Sequence, residues 1–206
     1  MPGVADCATD RCSRRQPFGT PWLLLLFVLL AWSWSGQAQA DDEALWNALR
    51  SPGHVALMRH ALAPGTGDPA AFTLGDCSTQ RNLSTDGRRQ AEDIGARFRA
   101  NGIATARVLS SQWCRCLETA RALRLGPAVE FPLLNSFFRE MDRQAQQTEE
   151  LRQWLADQPP DGTLVLVTHQ VNITALTGIF PASGEIVVLR RLDSGAIDVI
   201  GTIETR

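Results

Sequence analysis

Two short apolar runs constrain the fold more than anything else in the sequence: His54–His60 (HVALMRH) and Leu164–Thr168 (LVLVT). Their apolar residues are consecutive rather than alternating, so a strand built from either run is buried on both faces. Such strands need helices on each side of the sheet. The intervening segments supply them. Ser84 reads as the N-cap of a helix that stops at Asn101-Gly102, with Ala91, Ile94 and Phe98 spaced along one face. Further helices are expected over 43–50, 114–124, 148–157 and 172–177, and further strands over 106–110 and 129–131. Segments 185–192 and 196–204 read as two strands around the turn Asp193-Ser194-Gly195. The expected fold is α/β, a mainly parallel central sheet flanked by helices on both faces, with a C-terminal β-hairpin.

The first forty residues stand apart from this pattern. Arg11, Arg14 and Arg15 precede the apolar stretch 21–34, and Ala38-Gln39-Ala40 follows it. This is the layout of a secretory signal, with cleavage expected after Ala40. The apolar stretch falls short of the about 20 residues that span a bilayer comfortably. The expected division is a signal peptide, 1–40, and one domain, 41–206, located in the periplasm or secreted. The remaining chain is slightly acidic, which argues against a nucleic-acid partner and against stable attachment to an anionic membrane.

Composition excludes several chemistries. Every basic residue is Arg, so no Lys is available for a Schiff base or a phosphate-binding P-loop. The three His (His54, His60, His169) rule out a His-rich metal cage. Gly65-Thr66-Gly67 lies in a long loop and lacks a third Gly, so it is no dinucleotide site. No metal and no cofactor is expected. Beyond the signal, Cys77, Cys114 and Cys116 remain. In an oxidising compartment one disulfide is expected, joining Cys77 to Cys114 or to Cys116.

In α/β sheets ligands sit beyond the carboxyl ends of the strands. Arg59-His60, Ser110-Ser111 with Arg115 shortly after, and Thr168-His169 all fall there. A neutral imidazole is a nucleophile, and guanidinium groups match phosphate oxygens. His60 is therefore expected to attack phosphorus while Arg59, Arg115 and His169 bind the oxygens. Arg81 and Asn82 are expected to line the pocket from the long loop. His54 reads as structural, Asp68-Pro69 as a turn and Trp113 as packing.

These stretches resemble the histidine phosphatase superfamily, the phosphoglycerate-mutase-like proteins. LMRHALAPG resembles its first His block, LSTDGRRQA the start of its following helix, VLSSQWCRCLETA its second Arg block and LVLVTHQVNITAL its second His block, all in the family's order. The resemblance spans nearly all of 54–180. It implies catalytic roles for His60, Arg59, Arg115 and His169. The chain departs from the family at Ala61 and Gln170, each in place of Gly, and at Leu134-Asn135-Ser136, where the family's usual acid block is missing. The proton donor is then expected to be Glu140, with Asp142 second, its pKa raised beside Phe137 and Phe138. Within the superfamily the chain looks most similar to periplasmic members such as lipopolysaccharide core heptose-phosphate phosphatases. The implied function is an exported phosphomonoesterase working through phosphohistidine on a small-molecule or glycan phosphomonoester. The alternative is a phosphoglycan-binding or sensing protein that retains the pocket with little turnover.

Overall fold

The computed structural model describes residues 42–159, 161–192 and 194–205. The expected export segment and its cleavage point lie outside these residues, as does Asp193 of the expected hairpin turn.

Six strands form one sheet: β1 (His54–Arg59), β2 (Arg107–Ser110), β3 (Ala128–Glu130), β4 (Leu164–Thr168), β5 (Ile186–Arg191) and β6 (Ile197–Ile203). Their order is β3-β2-β4-β1-β5-β6. The first four are parallel, β5 runs antiparallel to β1, and β6 turns back antiparallel to β5, as a mainly parallel sheet with a terminal hairpin requires. Among the described residues five helices accompany the sheet: α1 over 42–50, α2 (Thr85–Ala100), α3 (Cys114–Ala122), α4 (Gln144–Ala156) and α5 (Gln170–Thr177).

Alternation along β1 shows why the runs are continuous. Ala56 and Met58 pack with Trp46 of α1, Phe98 of α2 and Cys116 of α3. Val55 and Leu57 pack on the opposite face with Leu151 and Leu155 of α4 and Ile173 of α5. Each face of the strand has its own helical layer. Helix α2 starts as its residues dictate. The Ser84 side chain accepts the Gly87 N–H at 3.0 Å. Gly87 is required by packing, since a Cβ there would meet the Leu62 carbonyl oxygen at 2.0 Å. This contact fastens the loop that follows β1 onto the helix.

Two helices begin earlier than the sequence pattern suggests. Helix α4 starts at Gln144, because a 3₁₀ turn at Met141–Arg143 feeds directly into it. Gln147 then finds partners far away in sequence, donating to the Leu133 and Asn135 carbonyls. Helix α5 starts at Gln170, capped by the extended backbone of His169.

Candidate active site

The sheet order brings β2, β4 and β1 side by side, so their carboxyl ends form one rim. Ladder bonds continue past the strands. The His60 N–H donates to Thr168 O at 2.9 Å, and the Ser111 N–H to Val167 O at 2.9 Å. A cavity of about 380 Å³ opens above this rim, lined by Arg59, His60, Arg81, Arg115 and His169 among others.

His60 is buried, and its Nδ1 lies 2.7 Å from the Ala61 carbonyl oxygen. A carbonyl only accepts, so Nδ1 carries the proton and Nε2 keeps its lone pair. Burial, then the positive charge of Arg115, lowers the His60 pKa to about 3. The ring is neutral at physiological pH. The methyl of Ala61 does not intrude on the cavity; it is buried with Ala63, Leu83 and Ala91.

Arg115 is 3% exposed and is gripped by Asp68: Nη1 donates to Oδ1 at 2.7 Å and Nη2 to Oδ2 at 3.2 Å. Asp68 also accepts from the Arg81 backbone N–H at 3.1 Å and from Trp113 Nε1 at 3.1 Å. Its own burial opposes ionisation, but the bonds and charge of Arg115 outweigh it and hold the carboxyl below its ordinary pKa. Asp68 is therefore an anionic hub rather than a plain turn residue. Trp113 is also more than packing. It lines the cavity, stacks on Phe72 with centroids 5.0 Å apart and meets the His169 ring edge-on.

Arg59 donates to Pro181 O at 2.8 Å. Arg81 donates through Nε to Gly67 O at 2.7 Å and through Nη1 to Ala63 O. The Nε atoms of Arg59 and Arg115 are buried without a partner among the described residues. An unpaired buried guanidinium N–H is costly, and an anion in the cavity is the natural acceptor.

His169 is held by a chain of bonds that fixes its tautomer. The Gln112 backbone N–H donates to Asn135 Oδ1 at 2.9 Å, which sets the amide's orientation. Asn135 Oδ1 then accepts from Ser111 Oγ at 3.3 Å. With its proton so used, Ser111 Oγ accepts from His169 Nε2 at 2.8 Å. Nδ1 keeps its lone pair and faces Arg115 Nη2 at 3.4 Å. Burial first, then Arg115, puts the His169 pKa well below the ordinary value. Cys116 lies beneath this ring as a thiol, its pKa pushed up to about 12 by burial.

Asn82 does not reach the cavity. Its Nδ2 turns back to donate to Cys77 O at 2.7 Å and Gln80 O at 3.2 Å, so the short side chain is spent on its own loop. Glu140 does line the cavity, but its side chain is 59% exposed and pairs with Arg143 Nη1 at 2.8 Å. The apolar surroundings expected for it are missing, because Phe137 turns into the core and Phe138 is half exposed. Asp142 is exposed and is not among the cavity's lining residues. Ser136 and Gln170 both line the cavity, and Gln170 bonds Thr174 Oγ1 at 2.8 Å. His54 sits at the far end of β1, near the Ser51 and Pro52 carbonyls, as a structural role requires. The bridge forms between Cys77 and Cys114, leaving Cys116 free. Among the described residues no group of three His, Cys, Asp or Glu is arranged to hold a metal.

Sequence reasoning missed Asp68, Ser111 and Asn135. Ser111 carried a signal, standing at a strand end in the Ser-Ser pair. Asn135 carried none, since its partners come from three other elements.

A buried neutral imidazole thus stands under a ring of guanidinium groups on the carboxyl rim of a parallel sheet. Residues 55–143 match the family model described as the histidine phosphatase superfamily (branch 1). Solved structures share the fold. The protein histidine phosphatase SixA complexed with tungstate is 17% identical, with 74% of this chain and 97% of that chain covered and a TM-score of 0.53. A mycobacterial glucosyl-3-phosphoglycerate phosphatase complexed with VO3 is 16% identical, with 71% and 96% covered and a TM-score of 0.54. Phosphoserine phosphatase from Entamoeba histolytica, in complex with 3-phosphoglyceric acid, is 14% identical, with 74% and 98% covered and a TM-score of 0.54. No curated protein matches the sequence. The chain has the histidine phosphatase fold.

Proposed function

We propose that the protein is an exported phosphatase that hydrolyses a phosphomonoester, on a small molecule or an envelope glycan, through a phosphohistidine on His60. The observation that carries the reading is the convergence of neutral His60 with Arg59, Arg115 and His169 in one cavity. His60 Nε2 attacks phosphorus in line with the departing oxygen. Arg59 and Arg115 donate to the equatorial oxygens as negative charge develops on them. A bound phosphate dianion reverses the local charge around His169, so Nδ1 takes up a proton and donates as well. Water then attacks the phosphohistidine and returns His60 to its neutral state.

The neighbours in complex with tungstate and VO3 support the reading, because both ligands are phosphate-like oxyanions. The disulfide supports export, since such bonds persist in oxidising compartments. Turnover of p-nitrophenyl phosphate by the purified chain from residue 41, with acid-labile label retained on His60, is the expected result. A protein that binds phosphate without turnover is the sensing alternative. Intact-mass analysis of the exported protein should begin at Asp41, and a mass that includes 1–40 would refute cleavage.

A further inference from the structure

The cavity holds more positive charge than one phosphate needs, and one of its cations, Arg139, stands at the mouth. Five arginines line it: Arg59, Arg81, Arg115, Arg139 and Arg143. Arg115 is neutralised by Asp68 and Arg143 by Glu140. Arg59, Arg81 and Arg139 pair with no carboxylate among the described residues. Each is oriented by backbone carbonyls instead, Arg139 through Nη2 by those of Asp68 and Pro69. Carbonyls aim a guanidinium without cancelling its charge. Arg139 is exposed and stands with Phe138 and Phe180 at the cavity's outer edge, whereas His60, Arg115 and His169 form its buried floor. The cavity has room for roughly a dozen waters at about 30 Å³ each, far more than one phosphate fills.

The same wall lacks a poised acid. In-line attack from the floor sends the leaving oxygen toward the mouth. His169 lies on the nucleophile's side, its ring centroid 5.6 Å from that of His60. The cavity's two carboxylates are Asp68, locked as an anion by Arg115, and Glu140, solvated and paired with Arg143. Beyond these the described lining offers the Thr66 and Ser136 hydroxyls, which are far weaker acids than a carboxyl. An alkoxide leaving group needs a proton, its conjugate acid being about as weak an acid as water. A phosphate leaving group does not, because its second pKa is about 6.

Resting on the phosphohistidine chemistry proposed for His60, but with an anhydride in place of an ester as the favoured substrate, we infer that the protein removes the terminal phosphate of a diphosphate, with Arg139 holding the inner phosphate that departs. His60 Nε2 forms a bond to the terminal phosphorus as the bond from that phosphorus to the bridging oxygen breaks. The electron pair stays on that oxygen, and the inner group leaves as a phosphomonoester dianion without taking a proton. Water then displaces His60 from phosphorus, and both water hydrogens leave on dihydrogen phosphate.

Methyl diphosphate and methyl phosphate form a matched pair of probes, with p-nitrophenyl phosphate as control. A kcat/KM at least 100-fold higher for methyl diphosphate than for methyl phosphate is expected. Arg139→Met should lower kcat/KM for methyl diphosphate at least ten-fold more than for p-nitrophenyl phosphate, and Arg139→Lys should restore most of the difference. Equal turnover of the two methyl compounds, or equal losses in Arg139→Met, would overturn the inference while leaving the phosphatase reading intact. A selective loss on methyl phosphate in Glu140→Gln would identify a working acid and overturn it too. Failure to turn over p-nitrophenyl phosphate would defeat the underlying reading, and this inference with it.

Discussion

Ser111 Oγ lies 2.8 Å from His169 Nε2, and this one contact decides which ring nitrogen faces the phosphate pocket. The decision is enforced from behind by Asn135, itself oriented by the Gln112 backbone N–H. Asn135→Leu should release Ser111 Oγ and let the imidazole populate both tautomers. A ten-fold or larger fall in kcat is expected, with a smaller change in KM. Nitrogen-15 ring shifts of His169 check the mechanism, since a purely structural role would leave them unmoved. Unchanged ring shifts with unchanged kcat would dismiss the relay.

His60→Ala should abolish turnover, by a factor of a thousand or more, because the proposed intermediate forms on its Nε2, whereas the remaining imidazole, His169, is tied to Ser111 and faces Arg115. Activity should persist in EDTA, since guanidinium groups supply the charge that a metal otherwise would. Labelled phosphate that still attaches to the His60→Ala protein would point to a different nucleophile.

Acid should destabilise the fold before it protonates the nucleophile. His60 has a folded pKa of about 3 against about 6.5 in the unfolded chain, and burial depresses His169 in the same direction. Between these values the unfolded state binds more protons, so stability rises with pH in that window and levels off above about 6.5. His60 alone should cost on the order of 2 kcal/mol on going from pH 6.5 to 5. Urea unfolding across this range measures it. His60→Asn should flatten the slope, and an undiminished slope would assign the effect elsewhere.

Cys77 and Cys114 close a loop with a sequence separation of 37, one residue before Arg115. The chain-entropy model gives about 3–4 kcal/mol for such a closure. Cys77→Ser, or thorough reduction, should lower the unfolding temperature measurably. It should also raise KM, because the tethered loop carries Asp68 and Arg81. Calorimetry with and without reductant tests the first effect, and no shift in either quantity would show the bridge to be idle.

The centre of the sheet was legible because β1 and β4 are continuous apolar runs, and a run buried on both faces admits few alternatives. The site's floor was legible for a related reason. Arg59-His60 and Thr168-His169 are the first polar residues after buried strands, so topology alone delivers them to one rim. Asn82 turns away from the cavity, and Glu140 reaches it without its expected apolar surroundings, because both expectations depend on side-chain direction, which spacing does not encode. A carboxylate near two Phe residues is desolvated only if those rings turn toward it, and Phe137 turns inward. Asp68 was hidden by its own dipeptide, since Asp-Pro reads as a turn and its partners are 45 and 47 residues away.

The grip of Asp68 on Arg115 places a resident counter-ion in the cavity, and on the proposed reading it should govern how readily the site lets go of its product. An entering phosphate competes with a carboxylate already seated on one of the strongest cations in the pocket. Part of the attraction would thereby be withheld from the ground state, and inorganic phosphate is expected to depart from a pocket that would otherwise retain it. Removing that competitor should make the protein a better trap and a poorer catalyst. Asp68→Asn is expected to bind inorganic phosphate several-fold more tightly by calorimetry and to turn over more slowly once product accumulates. Weaker phosphate binding in that variant would mean that Asp68 serves only to hold Arg115 in place.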